Sequence, residues 1–142
     1  MEPVDYQDTF IAAAEDCPVD RGTVPPGETI AARTFRLIAA HPYRHTSGDI
    51  IFTVWADRTA IPEAVRPDAR RAFYATGRAC LRASDLGRRY GWGIHADSAG
   101  RLALVGMETE AYAEFLAGRR SGGSGASVRV VKAMRRSRPR GS

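Results

Sequence analysis

The sequence predicts a single α+β domain with a mostly antiparallel sheet and helices packed on one of its faces. Its 142 residues are 44% hydrophobic and 26% charged, which is ordinary for one globular domain. Short runs rich in β-branched residues alternate along the chain with runs of helical periodicity. The turn residues Asp97, Ser98 and Gly100 separate two alternating apolar runs, which is typical of a β-hairpin.

The first part of the chain predicts two strands on either side of a helix. The run TFIAAAED from Thr9 is predicted to be a strand because it is short and ends just before Cys17-Pro18. Residues 29–41 carry apolar side chains at helical spacing, with Thr29 as a cap, and Pro42 ends this helix. The run DIIFTVWAD at 49–57 is apolar on both faces and rich in β-branched and aromatic residues, which favours a central strand.

The rest of the chain predicts a helix, a hairpin, a second helix and a last strand. Pro67 opens the helix PDARRAFYATG, and Ser84 caps a short turn before the hairpin. The segment Glu108 to Ala117 predicts a helix whose first turn carries acidic residues, which suits the helix dipole. The apolar run VRVVKAM predicts the last strand.

Alternation along the hairpin places His95 on the second face of the sheet. The first face, which we expect to be core, carries Trp92, Ile94 and Ala96. Gly93 and His95 share the other face, and a turn centred at 98–99 sets His95 opposite Leu102. Gly93 then lies opposite Leu104. A histidine in such a hollow can act as an acid, a base or a ligand; the alternative is a half-buried histidine bonded to a backbone carbonyl.

Basic and aromatic residues precede the hairpin in the run CLRASDLGRRYGWG. If Ser84 caps a short turn, its free amides and the guanidiniums of Arg82 and Arg89 can converge on a carboxylate or a phosphate. The predicted ligand-binding residues are Arg82, Ser84, Arg89, Tyr90, Trp92 and, from the loop HPYRHTSGD, Tyr43. The alternative is a solvated basic face that pairs with Asp85, and the glycines beside Trp92 equally permit a second strand to approach closely.

Three residues are candidates for catalysis. His95 is the predicted proton donor or acceptor, and Asp16 is predicted to orient it. Cys80 is a candidate nucleophile if it reaches His95, although buried cysteine more often serves as a small apolar residue. Cys17, Cys80 and His95 lack the paired spacing of a zinc site, so we expect neither a metal nor another cofactor.

Charge is distributed unevenly along the chain. The net charge is +5, but residues 119–142 hold eight basic residues and no acidic one, so residues 1–118 carry a net charge of −3. We expect SGGSGAS at 121–127 to be a flexible linker inside a domain of residues 1–134, followed by a disordered basic tail at 135–142. This basic region is a candidate for binding nucleic acid. The residues that would contact phosphates are Arg129, Lys132, Arg135, Arg136, Arg138 and Arg140.

Composition also bears on location. No run of about 18 apolar residues is present, so no membrane span is expected. The start MEPVDYQD is acidic and lacks the apolar segment of a secretory signal, which favours the cytoplasm. Two cysteines do not make a disulfide framework, so both are expected to be free thiols.

The chain resembles a family of small uncharacterised bacterial proteins, a domain of unknown function, in four blocks: TFIAAAEDCPV, PYRHTSGDIIFTVWA, ACLRASDLGRRYGWGIHADSAGRLALVG and VKAMR. The resemblance covers about Thr9 to Arg135, and the block CLR-S-L---YGWGIH is quite specific. The linker and the arginines after Arg135 depart from the pattern. The resemblance implies a shared fold and suggests that polar residues from four segments belong together, but it implies no activity.

We therefore expect a small cytoplasmic protein with a polar, anion-binding cleft on the second face of the hairpin. The expected ligand is a small carboxylate or phosphate metabolite, and His95 is the acid or base if the cleft is an active site. One alternative is a nucleic-acid-binding module that acts through the basic C-terminal segment. Another is an accessory subunit of a partner enzyme, which predicts a large exposed apolar patch.

Overall fold

A computed structural model of the protein describes residues 2–119 and 127–137, and within them it shows a four-stranded sheet and five α-helices. The strands are β1 (Thr9–Ala12), β2 (Trp92–Ala96), β3 (Leu102–Gly106) and β4 (Arg129–Lys132). The helices are α1 (Ile30–Ala40), α2 (Ser47–Arg58), α3 (Arg66–Phe73), α4 (Asp85–Arg88) and α5 (Glu110–Leu116), with short 3-10 turns at Glu63–Val65 and Leu81–Ala83. The α+β class and the single domain are confirmed.

The sheet has the strand order β3-β2-β1-β4. β2 is antiparallel to both of its neighbours, whereas β4 runs parallel to β1. In the middle of the sheet, Phe10 of β1 pairs with His95 on one side and with Val130 on the other. The sheet is therefore mostly antiparallel, as predicted, and its parallel pair joins the first and last strands of the chain.

Both faces of the sheet are covered by helices. Ile11 of β1 packs in a core with residues of α1, α2 and α4, whereas Phe10 packs on the opposite face with Tyr112 and Phe115 of α5. The sequence led us to expect helices on one face only. The second face also carries apolar residues from β1 and β3, and the short helix α5 folds back over them, with the hydroxyl of Thr109 capping its first turn.

The segment at 49–57 is part of a helix, not the central strand that its composition predicted. Thr46 and Asp49 form a capping box, in which each side chain accepts a hydrogen bond from the backbone N–H of the other. Ile50 packs toward the sheet, whereas Phe52 packs toward α3. Because α2 is buried on two sides, it is apolar nearly all round and its composition imitates that of a buried strand.

The hairpin forms as predicted, but its register differs by one residue. The loop spans three residues rather than two and closes with Gly100 at a φ of 78°, which suits glycine. The pairs on the second face are Gly93 with Val105 and His95 with Ala103. Leu102 and Leu104, which were predicted to flank His95, therefore lie on the opposite face of the sheet.

The N-terminal segment packs against the start of α2. The Asp5 carboxylate accepts a hydrogen bond from the Gly48 N–H at 2.7 Å. Arg70 of α3 donates to Glu2 at 2.8 Å and to Asp49 at 3.0 Å. These bonds link the N-terminal segment to two helices, and they leave the charge of Arg70 compensated by two carboxylates.

Parts of the predicted linker and tail lie outside the described residues. The linker is described only at Ser127, which bridges to Arg119, and the tail is described only as far as Ser137. Among the described residues, no helix combines the length and the apolar character that crossing a bilayer requires.

Two glycines with similar backbone angles provide a test of how tightly the chain packs before the hairpin. Gly91 has a φ of 75°, and an added Cβ would overlap the carbonyl oxygen of Arg21; Gly27 has a φ of 73° but open space around it. We expect Gly27→Ala to cost about 1 kcal/mol through backbone strain alone, and Gly91→Ala to cost at least ~2 kcal/mol more.

Urea unfolding followed by fluorescence measures both changes. Gly77→Ala is the matched control, because Gly77 has neither a positive φ nor a neighbour within 4 Å. Equal losses of stability in Gly91→Ala and Gly27→Ala would contradict the close approach of the two segments.

Candidate functional site

The predicted acid or base, His95, is buried on the second face of the sheet. The residue is 1% exposed, and its ring stacks on that of Phe115 with centroids 4.3 Å apart. The Tyr43 hydroxyl lies 2.8 Å from His95 Nδ1, so the two side chains are hydrogen-bonded. Tyr43 has a φ of 59°, a left-handed conformation that non-glycine residues rarely adopt. The loop after α1 thus brings two of the predicted site residues together.

The surroundings of the Tyr43–His95 pair are mainly apolar. Within the sheet, His95 lies between Phe10 of β1 and Ala103 of β3. The imidazole and the phenol can share a proton, and the Tyr43 hydroxyl orients the ring. Because His95 is almost fully enclosed, a ligand can reach its ring only if α5 or the loop carrying Tyr43 moves.

The glycines and the tryptophan of YGWG serve packing within the protein. Gly91 lets the segment before α1 approach, and at Gly93 an added Cβ would overlap the ring of Phe10. Trp92 Nε1 donates to the Thr23 carbonyl at 2.8 Å, which holds that segment against the hairpin. Trp92, which the sequence placed among the ligand-binding residues, is therefore occupied by the protein's own chain.

Asp16 is hydrogen-bonded to the residues that follow β4, 133–137, which we call the C-terminal segment. It accepts hydrogen bonds from the backbone N–H groups of Arg136 and Ser137 at 2.7 and 2.9 Å, and from the Ser137 hydroxyl at 3.2 Å. The bond from Arg136, together with those from Ser137, holds the pKa of the Asp16 carboxyl at about 2. Asp16 lies beyond the end of β1, whereas His95 pairs with Phe10 within it, so Asp16 does not orient His95 as predicted.

Glu15 neutralises part of the basic C-terminal region. Its carboxylate pairs with Lys132 at 2.8 Å and with Arg135 at 3.1 Å, and the bond from Lys132 contributes most to the lowered pKa of Glu15. Arg135, Arg136 and Ser137 therefore make defined contacts, although they were expected to begin a disordered tail. Arg138 and Arg140 lie outside the described residues.

The arginines before the hairpin do not converge on one point. Arg82 Nε donates to the Lys132 carbonyl at 2.7 Å, and Arg88 donates to two carbonyls of the C-terminal segment at 3.2 Å. Arg89 is exposed at the end of α4, and the carbonyl of Tyr90 accepts bonds from the segment before α1. Arg82 and Arg88 thus bind main-chain carbonyls, and the predicted joint site of Arg82 and Arg89 is not formed.

Cys80 lies on the other side of the sheet from His95. It precedes Leu81, which packs in the core between the sheet and the helices α1 and α2. Cys80 Sγ lies 3.2 Å from the Tyr6 hydroxyl, and both cysteines of the chain are free. Cys80 and His95 therefore do not form a nucleophile–base pair. Among residues 2–119 and 127–137, no group of three His, Cys, Asp or Glu side chains could hold a metal ion.

Cys80 and Ser84 line a cleft that the sequence did not predict. The cleft lies between α1, α2 and residues 78–84 and has a volume of about 290 Å³. Its large apolar side chains are Ile30, Ile51, Val54, Trp55, Phe73 and Leu81. Its polar side chains are Thr34, Arg58, Arg78, Cys80 and Ser84, and none of the lining residues is acidic. Among the described parts of the chain, this cleft has the chemical character of a ligand site.

The two arginines of the cleft are held in different ways. The guanidinium of Arg78 lies 3.8 Å from the centre of the Phe73 ring, and its Nε donates to the Phe73 carbonyl at 2.9 Å. Arg58 ends α2, and its guanidinium has no ion-pair partner among the described residues. Both positive charges therefore remain available to an anion in the cleft.

The model of a protein family, Family of unknown function (DUF6157), matches residues 1–139 of the chain. The chain belongs to this family. The resemblance to a domain of unknown function is confirmed, and it extends over nearly the whole chain. Searches of curated proteins and of solved structures found no match. Membership of DUF6157 brings no activity with it.

Tyr43→Phe tests the importance of the hydrogen bond to His95. The change keeps the aromatic ring but removes the hydroxyl from a buried imidazole, so we expect the free energy of unfolding to fall by about 1–2 kcal/mol. Urea unfolding measures the change. Tyr90→Phe is the matched control, because the Tyr90 hydroxyl makes no hydrogen bond within the described residues. Equal effects of the two substitutions would show that the bond contributes nothing.

The low pKa of Asp16 predicts how the C-terminal segment responds to acid. Because the pKa falls from an ordinary 3.8 to about 2, the contact is complete above the ordinary value and is lost as the pH falls through about 2. The NMR shifts of the Arg136 and Ser137 amide protons should titrate together near that lower value. A common midpoint near the ordinary pKa, or unchanged shifts in Asp16→Asn, would contradict the contact.

Proposed function

We propose that this protein binds a small organic anion with an apolar body, and that the cleft between α1, α2 and residues 78–84 is the binding site. One observation carries the proposal: six large apolar side chains and two guanidiniums line the cleft, with no carboxylate among them. Ligand sites are typically apolar with a few placed polar groups. An aliphatic or aromatic carboxylate, or a phosphate ester of similar size, matches this combination.

A second depression supports this choice by contrast. It is more open, has a volume of about 520 Å³ and is lined by Glu2, Arg70 and Tyr74 among others. Arg70 already bonds to Glu2 and Asp49, and Glu2 contributes most to raising the pKa of this guanidinium. An anion there would have to displace two carboxylates, whereas an anion in the cleft meets uncompensated charge.

The proposed ligand, a small organic anion, is of the class expected from the sequence. Its proposed site is the cleft, and not the second face of the hairpin. A catalytic role for His95 stays a prediction, and it would not act on a ligand in the cleft, because the Tyr43–His95 pair lies across the sheet. We place the protein in the cytoplasm, which the two free thiols support.

The two alternative functions have less support. Of the cations proposed to bind nucleic acid, Lys132 and Arg135 pair with Glu15, which lowers the positive potential of that region. For an accessory subunit, the exposed large apolar side chains among the described residues come from separate segments: Val24, Ile30, Val65, Leu116 and Met134. Steep weakening of RNA or DNA binding with salt would favour the first alternative over the cleft.

The fluorescence of Trp55 offers a direct test of binding. The chain has two tryptophans and only Trp55 lines the cleft, so Trp92→Phe leaves a single reporter. We expect benzoate and hexanoate to change its emission saturably, because their carboxylates meet Arg58 and Arg78. Benzylamine and hexylamine, of the same shape but opposite charge, should have no effect. Calorimetry on the unsubstituted chain should give the same dissociation constants.

Substitution of the arginines completes the test. Arg58→Ala and Arg78→Ala should each raise the dissociation constant of benzoate about tenfold, the effect of losing one charged contact. Arg44→Ala, on the loop after α1, is the control for a change in net charge. Equal binding of amines and carboxylates, binding unaffected in both arginine variants, or no saturable response would overturn the proposal.

A further inference from the structure

The Cys80 thiol is the nucleophilic group in the wall of the cleft. Cys80 is partly exposed, and it lines the cleft beside Arg78. Its sulfur lies 3.2 Å from the Tyr6 hydroxyl. The thiolate, not the thiol, reacts with electrophilic sulfur, and a hydroxyl donor at this distance orients the sulfur for that reaction.

Tyr6 is suited to be that donor. Burial, followed by its hydrogen bond to Cys80, raises the pKa of Tyr6 to about 12, so the phenol keeps its proton at neutral pH. The guanidiniums of Arg82 and Arg129 act electrostatically on the same hydroxyl.

Thr34 provides an independent indication that the cleft receives a ligand. The residue is only 3% exposed, and it belongs to the lining of the cleft. Its hydroxyl has no hydrogen-bond partner in the part of the chain that the structure describes. Among the described residues, the unpartnered polar atoms that are fully enclosed are Ser47 Oγ and Arg88 Nε, so the Thr34 hydroxyl is open to the cleft, where it can bond to a polar atom of a ligand.

We infer that Cys80 undergoes thiol–disulfide exchange with small disulfides that carry carboxylate groups, forming a mixed disulfide inside the cleft. The inference rests on the proposed function, since Arg58 and Arg78 would bind the carboxylate of the incoming disulfide as they bind other organic anions. It goes further because it assigns covalent chemistry to one side chain. Tyr6 acts as a positioning residue beside the sulfur.

The exchange is balanced without any further reagent. The Cys80 thiolate attacks one sulfur of the disulfide, and a new sulfur–sulfur bond forms as the old one breaks. The second half of the disulfide leaves as a thiolate and takes up a proton equivalent to the one that Cys80 lost. Cys80 is oxidised and the departing sulfur is reduced, so the incoming disulfide is itself the oxidant.

The other cysteine lacks these features. Cys17 is partly buried where the two main apolar clusters of the protein meet, and it does not line the cleft. Cys17 lines neither of the two depressions described above. The structure therefore predicts that a disulfide with carboxylates modifies Cys80 in preference to Cys17.

Three disulfides of similar size and different charge test the inference: dithiodipropionate, hydroxyethyl disulfide and cystamine. Each rate of adduct formation is followed by intact mass, and the modified cysteine is located by peptide mapping. Each rate is divided by the rate at which the same disulfide reacts with 2-mercaptoethanol, a thiol without a charged group, because the leaving thiols differ in their intrinsic reactivity. We expect the corrected rate to be highest for the dianion, at least about tenfold above that for the dication.

Substitutions separate the effect of the two arginine charges on the reagent from the effect of Tyr6 on the sulfur of Cys80. Arg58→Ala and Arg78→Ala should reduce the difference between the anionic and the cationic disulfide, while the control Arg44→Ala leaves it unchanged. Tyr6→Phe should slow all three reagents alike, because it acts on the sulfur and not on the charge of the reagent. Cys80→Ser should abolish the adduct, and Cys17→Ser should keep it.

An adduct mainly on Cys17, or corrected rates that do not depend on charge, would overturn the inference. Benzoate titration of Trp55 in Cys80→Ser distinguishes this failure from failure of the proposed function. If benzoate binds but Cys80 does not exchange, the cleft binds anions and only the covalent step is wrong. If benzoate does not bind and exchange is indifferent to charge, both proposals are wrong.

Discussion

Strand β1 is the element on which the rest of the fold depends, because it pairs at both edges and packs on both faces. All four of its residues are buried, with β2 along one edge and β4 along the other. Ile11 faces the core beneath α1 and α2, and Phe10 faces α5. The Phe10 ring stacks on Phe115 and fills the space above Gly93, so it sets the position of the hairpin and of His95.

The parallel pairing of β4 with β1 explains why so many polar side chains bind the protein's own backbone. It brings the carboxyl ends of both strands to one edge of the sheet, where Glu15 and Asp16 meet residues 132–137. Arg82 and Arg88 donate to carbonyls of the same region. Charged residues at this edge are therefore committed to holding the last strand in place, whereas Arg58 and Arg78, which have no ion-pair partner among the described residues, line the cleft.

Sequence reasoning succeeded where the deciding forces are local. The caps at Thr29 and Ser84 act over a few residues, and their elements formed as predicted; the hairpin also formed, with a loop one residue longer than predicted. The segment at 49–57 was predicted to be a strand because its apolar composition was given more weight than the capping box of Thr46 and Asp49, which starts a helix. The hairpin register depended on whether Gly100 belonged to the loop. The cleft was beyond prediction, because Thr34 and Arg58 meet Cys80 only after segments distant in sequence have packed together.

The distance along the chain between β1 and β4 has a consequence for folding during synthesis. Pairings between segments far apart in sequence form slowly, and one edge of β1 can pair only after β4, near the end of the described residues, has been synthesised. Until then, that edge presents unpaired backbone groups on an apolar strand, which is the kind of surface that joins other chains. The unpaired edge of β1 therefore favours aggregation during synthesis, and in a chain that ends before Arg129 this edge stays unpaired.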